Sequence, residues 1–368
     1  MPHFSYAGGS DVGPALARAL DGGPPVVPLP HPDTDPATLA PMIRPDEPLE
    51  DPDCAAIVAT SGSTGTAKGV LLSRRAIRAA VAATHDQLGG PGDWVLALPE
   101  HYVAGLMVLA RALVAGTRTH RVASDLADLA TLPLAAPRTY LSVVPTQLVR
   151  ALDEPTTLDS LTRFDAVLVG GAPMAPALLQ RIRDHGVRVV TTYGMSETCG
   201  GCVYDGVPLP GVDVRSDPTT TRLSIAGPML FSGYRCRADL TAEALINGRF
   251  ITSDRGLQTD GRVQVTGRVD DVVISGGSNV DLAEVERVLR HVLAGHGDGA
   301  VIGIPDREWG TRVVAVTDID LTREDLRSHL SGALLPRQVV HLDVLPRTDS
   351  GKIDRQQLVR LLTDDNQE

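Results

Sequence analysis

Residues 59–70, ATSGSTGTAKGV, constrain the fold of this chain more than any other stretch. A short apolar run leads into five hydroxyl side chains interleaved with glycines, and the stretch ends on Lys68 and Gly69. Glycines let successive backbone N–H groups turn toward one point, while the hydroxyls and Lys68 add donors and a positive charge. Such a set suits a polyphosphate anion, although a flexible polar turn is the alternative. The spacing of glycine, lysine and hydroxyl groups differs from that of a Walker loop, which disfavours a P-loop NTPase.

Lysine is used very sparingly. Of 34 basic residues only two are lysine, Lys68 and Lys352, and both adjoin glycine in polar loops. Arginine is a planar fork, whereas an ammonium is a compact charge that can follow a moving phosphate. The retention of lysine at these two positions therefore indicates chemistry rather than solubility.

Composition limits the class of partner and the compartment. The chain has 368 residues and a formal net charge of −11, which argues against nucleic acid and anionic membranes as partners. No apolar run is long enough for membrane insertion, and the N-terminus lacks the pattern of a signal peptide, so the cytoplasm is expected. Cys199 and Cys202 form a CxxC pair without a second ligand pair, which favours a glycine-rich turn over a redox or metal site.

The order of predicted elements indicates an α/β fold with mainly parallel sheets flanked by helices. A strand before the glycine-rich loop, a helix over Ser73–Leu88 and further βα units follow one another, whereas residues 21–53 are expected to be irregular. Loops near 61–69, 170–173 and 193–198 should then share one crevice at the carboxyl ends of strands.

The rest of the chain has a different pattern. Pro210 to Gly267 reads as short antiparallel strands, and the remainder as a small, compact α+β unit. We predict an N-terminal domain over 1–269 and a C-terminal domain over 270–368.

Two charged residues stand out in these segments. Glu197 is the lone acid of the loop near 193–198 and could hold Mg²⁺ beside phosphates, or else lie at a helix N-terminus as a favourable charge. Arg111 interrupts an apolar helix over Val103 to Gly116 that has no nearby acid. A guanidinium facing an acidic ligand and one that reaches water from a helix edge are both consistent with this pattern.

Five motifs together resemble the acyl-adenylate-forming family of acyl-CoA synthetases, peptide-synthetase adenylation domains and luciferases. In order they are TSGSTGTAKG, YGMSET, SDRG, GRVDDVVISGG and DSGKIDR, across residues 59–355. The first resembles the family's phosphate loop, the second its adenine and metal motif, and the third its ribose-binding motif, in which glycine usually replaces Ser253. The fourth resembles its hinge and the fifth its C-terminal lysine motif.

The resemblance implies that ATP and coenzyme A are co-substrates and that Mg²⁺ is the metal ion. It also assigns a role to each matching position. Lys352, Glu197 and Thr64 would be catalytic, with Glu197 holding Mg²⁺. Asp270 would be the hinge about which the C-terminal domain turns, presenting Gly276 and Gly277 to the pantetheine arm. The implied ATP contacts are Ser61, Ser63, Thr64, Lys68, Gly171, Ala172, Tyr193, Gly194, Ser196, Asp254 and Arg268.

Within the family the chain is most similar to the acid–CoA ligases that act on 2-succinylbenzoate in menaquinone biosynthesis. SVVPTQL, the arginine of the apolar helix and the short length carry this similarity. His101 lies one position before the place where that subgroup usually has histidine, and Tyr102 occupies the place itself. The similarity implies an acyl pocket formed by His101, Arg111, Ser142 and Thr146.

Other functions stay open at this point. The acid could be another aromatic or aliphatic one, the acceptor could be a carrier-protein thiol, or the chain could be a non-catalytic nucleotide-binding protein. Small-molecule substrates are the expected partners, and a homodimer is the default oligomeric state.

Overall fold

The structure is a computed structural model that describes residues 4–61, 67–293, 296–348 and 352–364. The strands of its first half are β1 Ser5–Gly8, β2 Val26–Leu29, β3 Cys54–Ser61, β4 Ala67–Ser73, β5 Asp93–Leu96, β6 Thr119–Arg121, β7 Thr139–Val143, β8 Ala166–Val169, β9 Val189–Met195, β10 Gly200–Tyr204 and β11 Val207–Pro208. Those of the second half are β12 Asp213–Ser216, β13 Arg222–Ala226, β14 Gly233–Tyr234, β15 Leu245–Ile246, β16 Arg249–Thr259, β17 Arg262–Arg268, β18 Val272–Ser275, β19 Ser278–Asp281, β20 Gly299–Asp306, β21 Gly310–Thr317 and β22 Gln338–His341. The α-helices are α1 Val12–Leu20, α2 Ala40–Ile43, α3 Arg74–Leu88, α4 Val103–Ala115, α5 Pro145–Leu152, α6 Pro155–Leu161, α7 Pro176–Asp184, α8 Ala238–Ala244, α9 Leu282–Leu293, α10 Arg323–Arg327 and α11 Arg355–Asp364.

A seven-stranded sheet forms the centre of the N-terminal part, in the order β11-β10-β9-β8-β7-β5-β6. The strands from β6 to β9 in this order are parallel, which confirms the predicted run of βα units. Successive residues of a strand point to opposite faces. Trp94 and Tyr140 accordingly lie in the core on one face, while Val95 and Leu141 lie in the core on the other.

The strands on either side of the glycine-rich stretch, β3 and β4, belong to a second sheet, in the order β1-β2-β3-β4-β14. Here two predictions were wrong. No strand is predicted between the glycine-rich stretch and the helix, but β4 lies there and pairs antiparallel with β3, whereas the helix predicted over Ser73–Leu88 is confirmed as α3. The segment over 21–53 is also not wholly irregular, because Val26–Leu29 is a buried strand that pairs parallel with β1.

The physical reason for both errors lies in short apolar runs. Val70, Leu71 and Leu72 are all buried, so this run reads equally well as a helix start or as a strand enclosed on both faces. Helix α3 begins at Arg74, and Ser73 is its N-cap, whose hydroxyl accepts a hydrogen bond from the N–H of Ala76 at 3.1 Å. The loops near 61–69 and 170–173 therefore come from two different sheets rather than from one edge.

The prediction of antiparallel strands over Pro210 to Gly267 is confirmed. Strands β12, β13, β16 and β15 form one sheet with β17 paired to β16, and the registers are antiparallel. Helix α8 interrupts the segment and was not predicted.

The C-terminal sheet has the order β19-β18-β21-β20, with β22 paired to β21. Residues after Asp271 supply all of its strands and the two apolar cores on its faces. The boundary between 269 and 270 stays a prediction.

A bilayer span would need a long apolar helix in the described part of the chain. None of its helices combines the length and the apolar character that crossing a bilayer requires.

Candidate active site

Lys68 and Glu197 approach one another although they come from different sheets. Lys68 lies on β4, and Glu197 lies in a 3-10 helix, Ser196–Thr198, directly after β9. Tyr234 on β14 connects them, because its hydroxyl donates a hydrogen bond to Glu197 Oε1 at 2.8 Å and its ring centroid lies 5.2 Å from Lys68 Nζ. The shared crevice thus forms between two sheets, with Tyr234 at the junction.

The electrostatic balance at Glu197 depends on this neighbourhood. Burial raises the pKa of Glu197, while the hydrogen bond from Tyr234 and the positive charge of Lys68 oppose that rise. A cation placed next to this carboxylate would relieve the cost of its desolvation.

The donor set here fits magnesium. No group of three or more His, Cys, Asp or Glu side chains suited to a metal occurs among the described residues, so Glu197 would act as a lone protein carboxylate. Mg²⁺ is usually bound by one or two carboxylates together with waters and substrate phosphates, rather than by an all-protein cage. Glu197 beside a lysine that can pair with phosphate matches that requirement.

Asp254 is the centre of a second polar cluster. It lies on β16 with 9% of its surface exposed, and it accepts hydrogen bonds from Tyr193 Oη at 2.8 Å and Arg268 Nη1 at 3.1 Å. Each carboxylate oxygen has a further lone pair available. Arg268 also donates to Asp270 at 2.9 Å, which links the cluster to the 3-10 helix Val269–Asp271. The arrangement can accept additional hydroxyl donors, as a ribose would require.

Lys352 reaches this cluster from the C-terminal part. Its Cε lies 3.6 Å from the position that a Cβ on Gly171 would occupy. Although the residue as a whole is exposed, desolvation of the ammonium and the nearby Arg268 charge lower the pKa of Lys352, and Asp254 opposes this shift. Gly171 follows β8 with φ +88°, a conformation that L side chains rarely adopt. The charge of Asp254 also raises the pKa of Glu197, which Lys68 lowers, so the clusters that contain Lys352 and Lys68 lie within electrostatic range of one another.

An ion pair holds the C-terminal sheet in this orientation. Arg255, next to Asp254 on β16, donates to Asp281 at the end of β19, and both side chains are about four-fifths buried, with 20% and 21% exposed. Nearby, a Cβ on Gly267 would lie 2.8 Å from Ala283 Cβ, so the backbones approach closely. These contacts join the C-terminal sheet to the N-terminal part in the same orientation in which Lys352 lies next to Gly171.

The residues assigned to the acyl pocket lie on and around one face of the seven-stranded sheet. Ser142 is buried on β7, two residues beyond Tyr140 and therefore on the same face. Thr146 is half-buried in the first turn of α5. The His101 ring, just before α4, packs against Tyr102 with centroids 4.1 Å apart.

Arg111 lies deeper on that face. It is 5% exposed, its Cζ is 4.7 Å from the centre of the Trp94 ring, and its Nε has no hydrogen-bond partner among the described residues. Trp94 pairs in register with Tyr140, and Ser142 pairs with Leu96, so the ring that Arg111 packs on lies two residues along the sheet from the level of Ser142. Arg111 thus packs on the same face of the sheet as Ser142, at the level of Trp94 and Tyr140, and its role in the acyl pocket stays a prediction.

Two further contacts describe the surroundings of Arg111. Met107, one helical turn before Arg111, has its Cγ 3.6 Å from the position of a Cβ on Gly200, just beyond the helix that holds Glu197. On the other side, burial and the charge of Arg111 lower the pKa of His85 to about 4, so that His85 is neutral. Arg111 therefore lies near a neutral histidine, on a helix that contacts the backbone two residues beyond the 3-10 helix of Glu197.

Gly276 and Gly277 form the turn between β18 and β19, both with positive φ, +57° and +78°. A Cβ on Gly276 would lie 2.7 Å from the Trp309 ring, so this position has no room for a side chain. The ring also packs under Arg337, whose Cζ is 3.9 Å from its centre. The turn is therefore braced by a tryptophan from the next hairpin.

The remaining assigned residues differ in how much can be said of them. Ser63 and Thr64 lie outside the described residues, and of Ser61 only the backbone, at the end of β3, is described. Ala172 follows Gly171 in the exposed loop after β8. Gly194 on β9 has no space for a side chain, because a Cβ there would lie 2.0 Å from the Gly200 carbonyl, and Ser196 is buried beside Glu197.

Sequence reasoning missed Tyr234, and no sequence signal marks it. It lies in a two-residue strand within a stretch of turns, and its contacts arise from the pairing of β14 with β4. The CxxC pair was interpreted as structural, and Cys199 and Cys202 are free, buried thiols whose pKa values are raised by burial, that of Cys202 to about 12.

Comparison with known proteins places this arrangement in context. The family model described as AMP-binding enzyme matches residues 14–237. A Mycobacterium tuberculosis protein named probable 2-succinylbenzoate–CoA ligase is 40% identical over 94% of this chain and 94% of its own length. An Enterococcus faecalis protein named 2-succinylbenzoate–CoA ligase is 29% identical over 83% of this chain and 69% of its own length.

Solved structures resemble the fold as well. The O-succinylbenzoate coenzyme A synthetase MenE of Bacillus subtilis in complex with AMP has a TM-score of 0.72 at 26% identity, over 83% of this chain and 69% of that one. ATP-bound MatB of Rhodopseudomonas palustris has a TM-score of 0.74 at 28% identity, over 86% of this chain and 69% of that one. The family match covers more than half of the chain, and the mycobacterial relative spans nearly all of it. The chain therefore belongs to the AMP-binding enzyme family.

Proposed function

We propose that the chain is an ATP-dependent acid–CoA ligase that converts 2-succinylbenzoate through its acyl-adenylate to 2-succinylbenzoyl-CoA in menaquinone biosynthesis. One structural observation carries the activity: the ammonium of Lys352 lies over Gly171 beside Asp254 and Arg268, within electrostatic range of the cluster that contains Lys68 and Glu197. The 40% identity with a named ligase of this specificity supports the choice of acid.

The first half-reaction requires two anions to meet. A substrate carboxylate attacks the α-phosphate of ATP, and pyrophosphate leaves. Lys352 stabilises the negative charge that develops on the transferring phosphoryl group, and Lys68 stabilises the departing phosphates. Mg²⁺ held through Glu197 would neutralise further phosphate charge. Asp254 accepts from the ribose hydroxyls, which fixes the nucleotide relative to Lys352.

The second half-reaction requires a thiol close to the new mixed anhydride. The CoA sulfur attacks the acyl carbon, the C–S bond forms and AMP leaves. Lys352 occupies the crevice in the orientation described here, so a turn of the C-terminal part about Asp270 would withdraw it. The same turn would bring Gly276 and Gly277 to the pantetheine arm, where the absence of side chains permits close approach.

The acid is proposed from the chemistry at Arg111. 2-Succinylbenzoate has two carboxylates, of which one reacts and the other requires a cation. Arg111 is buried, has an unpartnered Nε and forms no ion pair with a carboxylate in the part of the chain that the structure describes. A buried guanidinium is stable only with an anionic partner or a comparable interaction. The Trp94 ring provides one such interaction, and a ligand carboxylate would add an anionic partner.

This role predicts a selective effect of Arg111→Ala. We expect KM for 2-succinylbenzoate to rise about 10- to 150-fold, because a charge-assisted hydrogen bond contributes about 1.5–3 kcal/mol. Arg111→Met removes the charge with less change in volume and should act alike. Aromatic monocarboxylic acids are the control substrates, since their turnover should change much less. An unchanged KM, or an equal loss with both substrate classes, would remove Arg111 from the acyl pocket.

The overall function is tested with a panel of acids. Aromatic and aliphatic acids are mixed with ATP, Mg²⁺ and coenzyme A, and both pyrophosphate and thioester are measured. We expect 2-succinylbenzoate to give the highest kcat/KM. Release of pyrophosphate without thioester would point to a carrier-protein thiol as acceptor, preference for another acid would replace the substrate, and absence of pyrophosphate with every acid would refute the enzyme. We also propose that the protein works in the cytoplasm, where its soluble substrates are found, and that it forms a homodimer.

A further inference from the structure

Tyr234 is the side chain that contacts both of the charged residues facing the proposed polyphosphate site. Its hydroxyl donates to Glu197 Oε1 at 2.8 Å, and its ring centroid lies 5.2 Å from Lys68 Nζ. These residues come from two different sheets, and Tyr234 lies on the last strand of the sheet that holds Lys68. A displacement of this ring would therefore change the position of one charge relative to the other.

The surroundings of Tyr234 keep it in place. The side chain is buried, the Phe231 ring packs edge-on against it with centroids 4.9 Å apart, and the Phe231 N–H donates to the Glu197 carbonyl at 2.9 Å. The segment that carries Tyr234 thus holds Glu197 by its backbone as well as by the hydroxyl group.

The next residue fixes the strand from its other side. Arg235 has a fully buried side chain, and all five of its N–H donors are used by residues 43–50. Its guanidinium donates at 2.5–2.7 Å to the carbonyl oxygens of Ile43, Arg44, Glu47 and Pro48 and to the carboxylate of Glu50. Strand β14 is therefore anchored on one side by Arg235 and directs Tyr234 into the crevice on the other.

We propose that Tyr234 is a positioning residue that holds Glu197 and Lys68 at the separation needed to bind one magnesium–polyphosphate unit. This inference rests on the proposed function and adds to it a residue that touches neither substrate nor metal. Mg²⁺ demands nearly ideal octahedral geometry, so the direction of its carboxylate ligand matters. A hydroxyl that occupies Oε1 leaves Oε2 of Glu197 to face the metal, and groups that orient a metal ligand in this way typically change metal affinity 10- to 100-fold.

Tyr234→Phe is the decisive variant, because it removes one oxygen and keeps the ring. Tyr204→Phe is the matched control: Tyr204 is also buried, with 1% exposed against 7% for Tyr234, and its hydroxyl hydrogen-bonds Thr84 at 3.2 Å in the core. ATP binding is measured by calorimetry with Mg²⁺ and again with a chelator, which requires no turnover. We expect Tyr234→Phe to weaken binding of Mg·ATP about 10- to 100-fold and binding of metal-free ATP less than about twofold. The control should change neither.

Two outcomes would overturn the inference. Equal Mg·ATP affinity in Tyr234→Phe and the wild-type protein would show that the hydroxyl does not orient Glu197. A parallel loss with and without Mg²⁺, together with a lower Tm than in the control, would show that Tyr234 only supports the fold. Failure of the wild-type protein itself to bind Mg·ATP would instead refute the proposed function. The wild-type measurement therefore distinguishes failure of the proposed function from failure of the inference about Tyr234.

A second variant tests the contact with Lys68. Tyr234→Leu removes the ring as well as the hydroxyl, and we expect it to weaken binding of metal-free ATP several-fold in addition to the loss seen in Tyr234→Phe. If Tyr234→Leu binds metal-free ATP as well as Tyr234→Phe does, the ring does not position Lys68.

Discussion

Replacement of Lys352 by alanine should slow acyl-adenylate formation about 100- to 1,000-fold, the usual effect of removing one donor from a site that stabilises developing charge. Thioester formation from preformed acyl-adenylate should stay within about threefold of wild type, since the lysine has left the crevice in that step. The two halves are separated by measuring pyrophosphate release without CoA, and then thioester from synthetic acyl-adenylate.

Lys352→Arg is the informative companion. It keeps the positive charge, but its planar group lacks the compact shape of an ammonium, so we expect partial recovery of adenylation. An equal loss of both half-reactions in Lys352→Ala would contradict the division of labour between the two orientations.

The pH dependence of adenylation provides a further test of Lys352. The active form is the protonated ammonium, and desolvation together with Arg268 lowers the pKa of Lys352 below that of an ordinary lysine. Protonation is therefore lost at a lower pH, and the rate should fall on the alkaline side earlier than a solvent-exposed lysine would allow. In Lys352→Arg this alkaline fall should move to higher pH or disappear from the accessible range. A profile shared by both proteins would assign the titration to another group.

Asp254→Asn should reduce kcat/KM for ATP in adenylation on the order of 100-fold, because it weakens charge-assisted hydrogen bonds at a buried carboxylate. The wild-type Asp254 accepts from Tyr193 and Arg268, and its charge also raises the pKa of Lys352. Loss of that charge should lower the pKa of Lys352 further, so the alkaline fall should start at a still lower pH. Steady-state kinetics with ATP varied at several pH values measure both effects.

Asp213→Asn is a suitable control for Asp254→Asn. Asp213 lies on β12 of the same sheet and accepts from Arg249 at 2.6 Å, but it belongs to no part of the proposed site. It should leave adenylation unchanged. A similar loss of kcat/KM in both variants would indicate that damage to the sheet, rather than loss of a ribose contact, explains the result with Asp254.

The sequence predicted the motifs and the strands before them better than it predicted how those strands pair into sheets. The strand–loop and βα patterns identified β3, β7, β8 and β9 and the loops that follow them, because each strand is a short, mainly apolar run followed by a turn or helix-start signal in glycine, proline or hydroxyl residues. The same patterns could not assign Lys68 and Gly171 to different sheets. Strand pairing is set by contacts between distant residues, and a buried run such as Val70–Leu72 reads alike as strand or helix.

Single contacts were beyond the reach of sequence patterns. Nothing local distinguishes Tyr234 from other tyrosines, and its role depends on pairing with a strand more than 150 residues earlier. Arg111 was recognised as unusual because a charge interrupts an apolar helix, yet its stacking on Trp94 and its level relative to Ser142 follow only from the sheet register.

The Arg255–Asp281 pair has a consequence for the rate of domain rotation in the proposed catalytic cycle. The two charges stand on opposite sides of Asp270, so any swing that withdraws Lys352 must first pull them apart. An ion pair formed only in the adenylate-forming orientation would lengthen the time spent there and lower the fraction of molecules in the thioester-forming orientation. Salt screens a partly exposed ion pair of this kind. Ionic strength would then affect the rate at which the enzyme changes between the orientations for its two half-reactions.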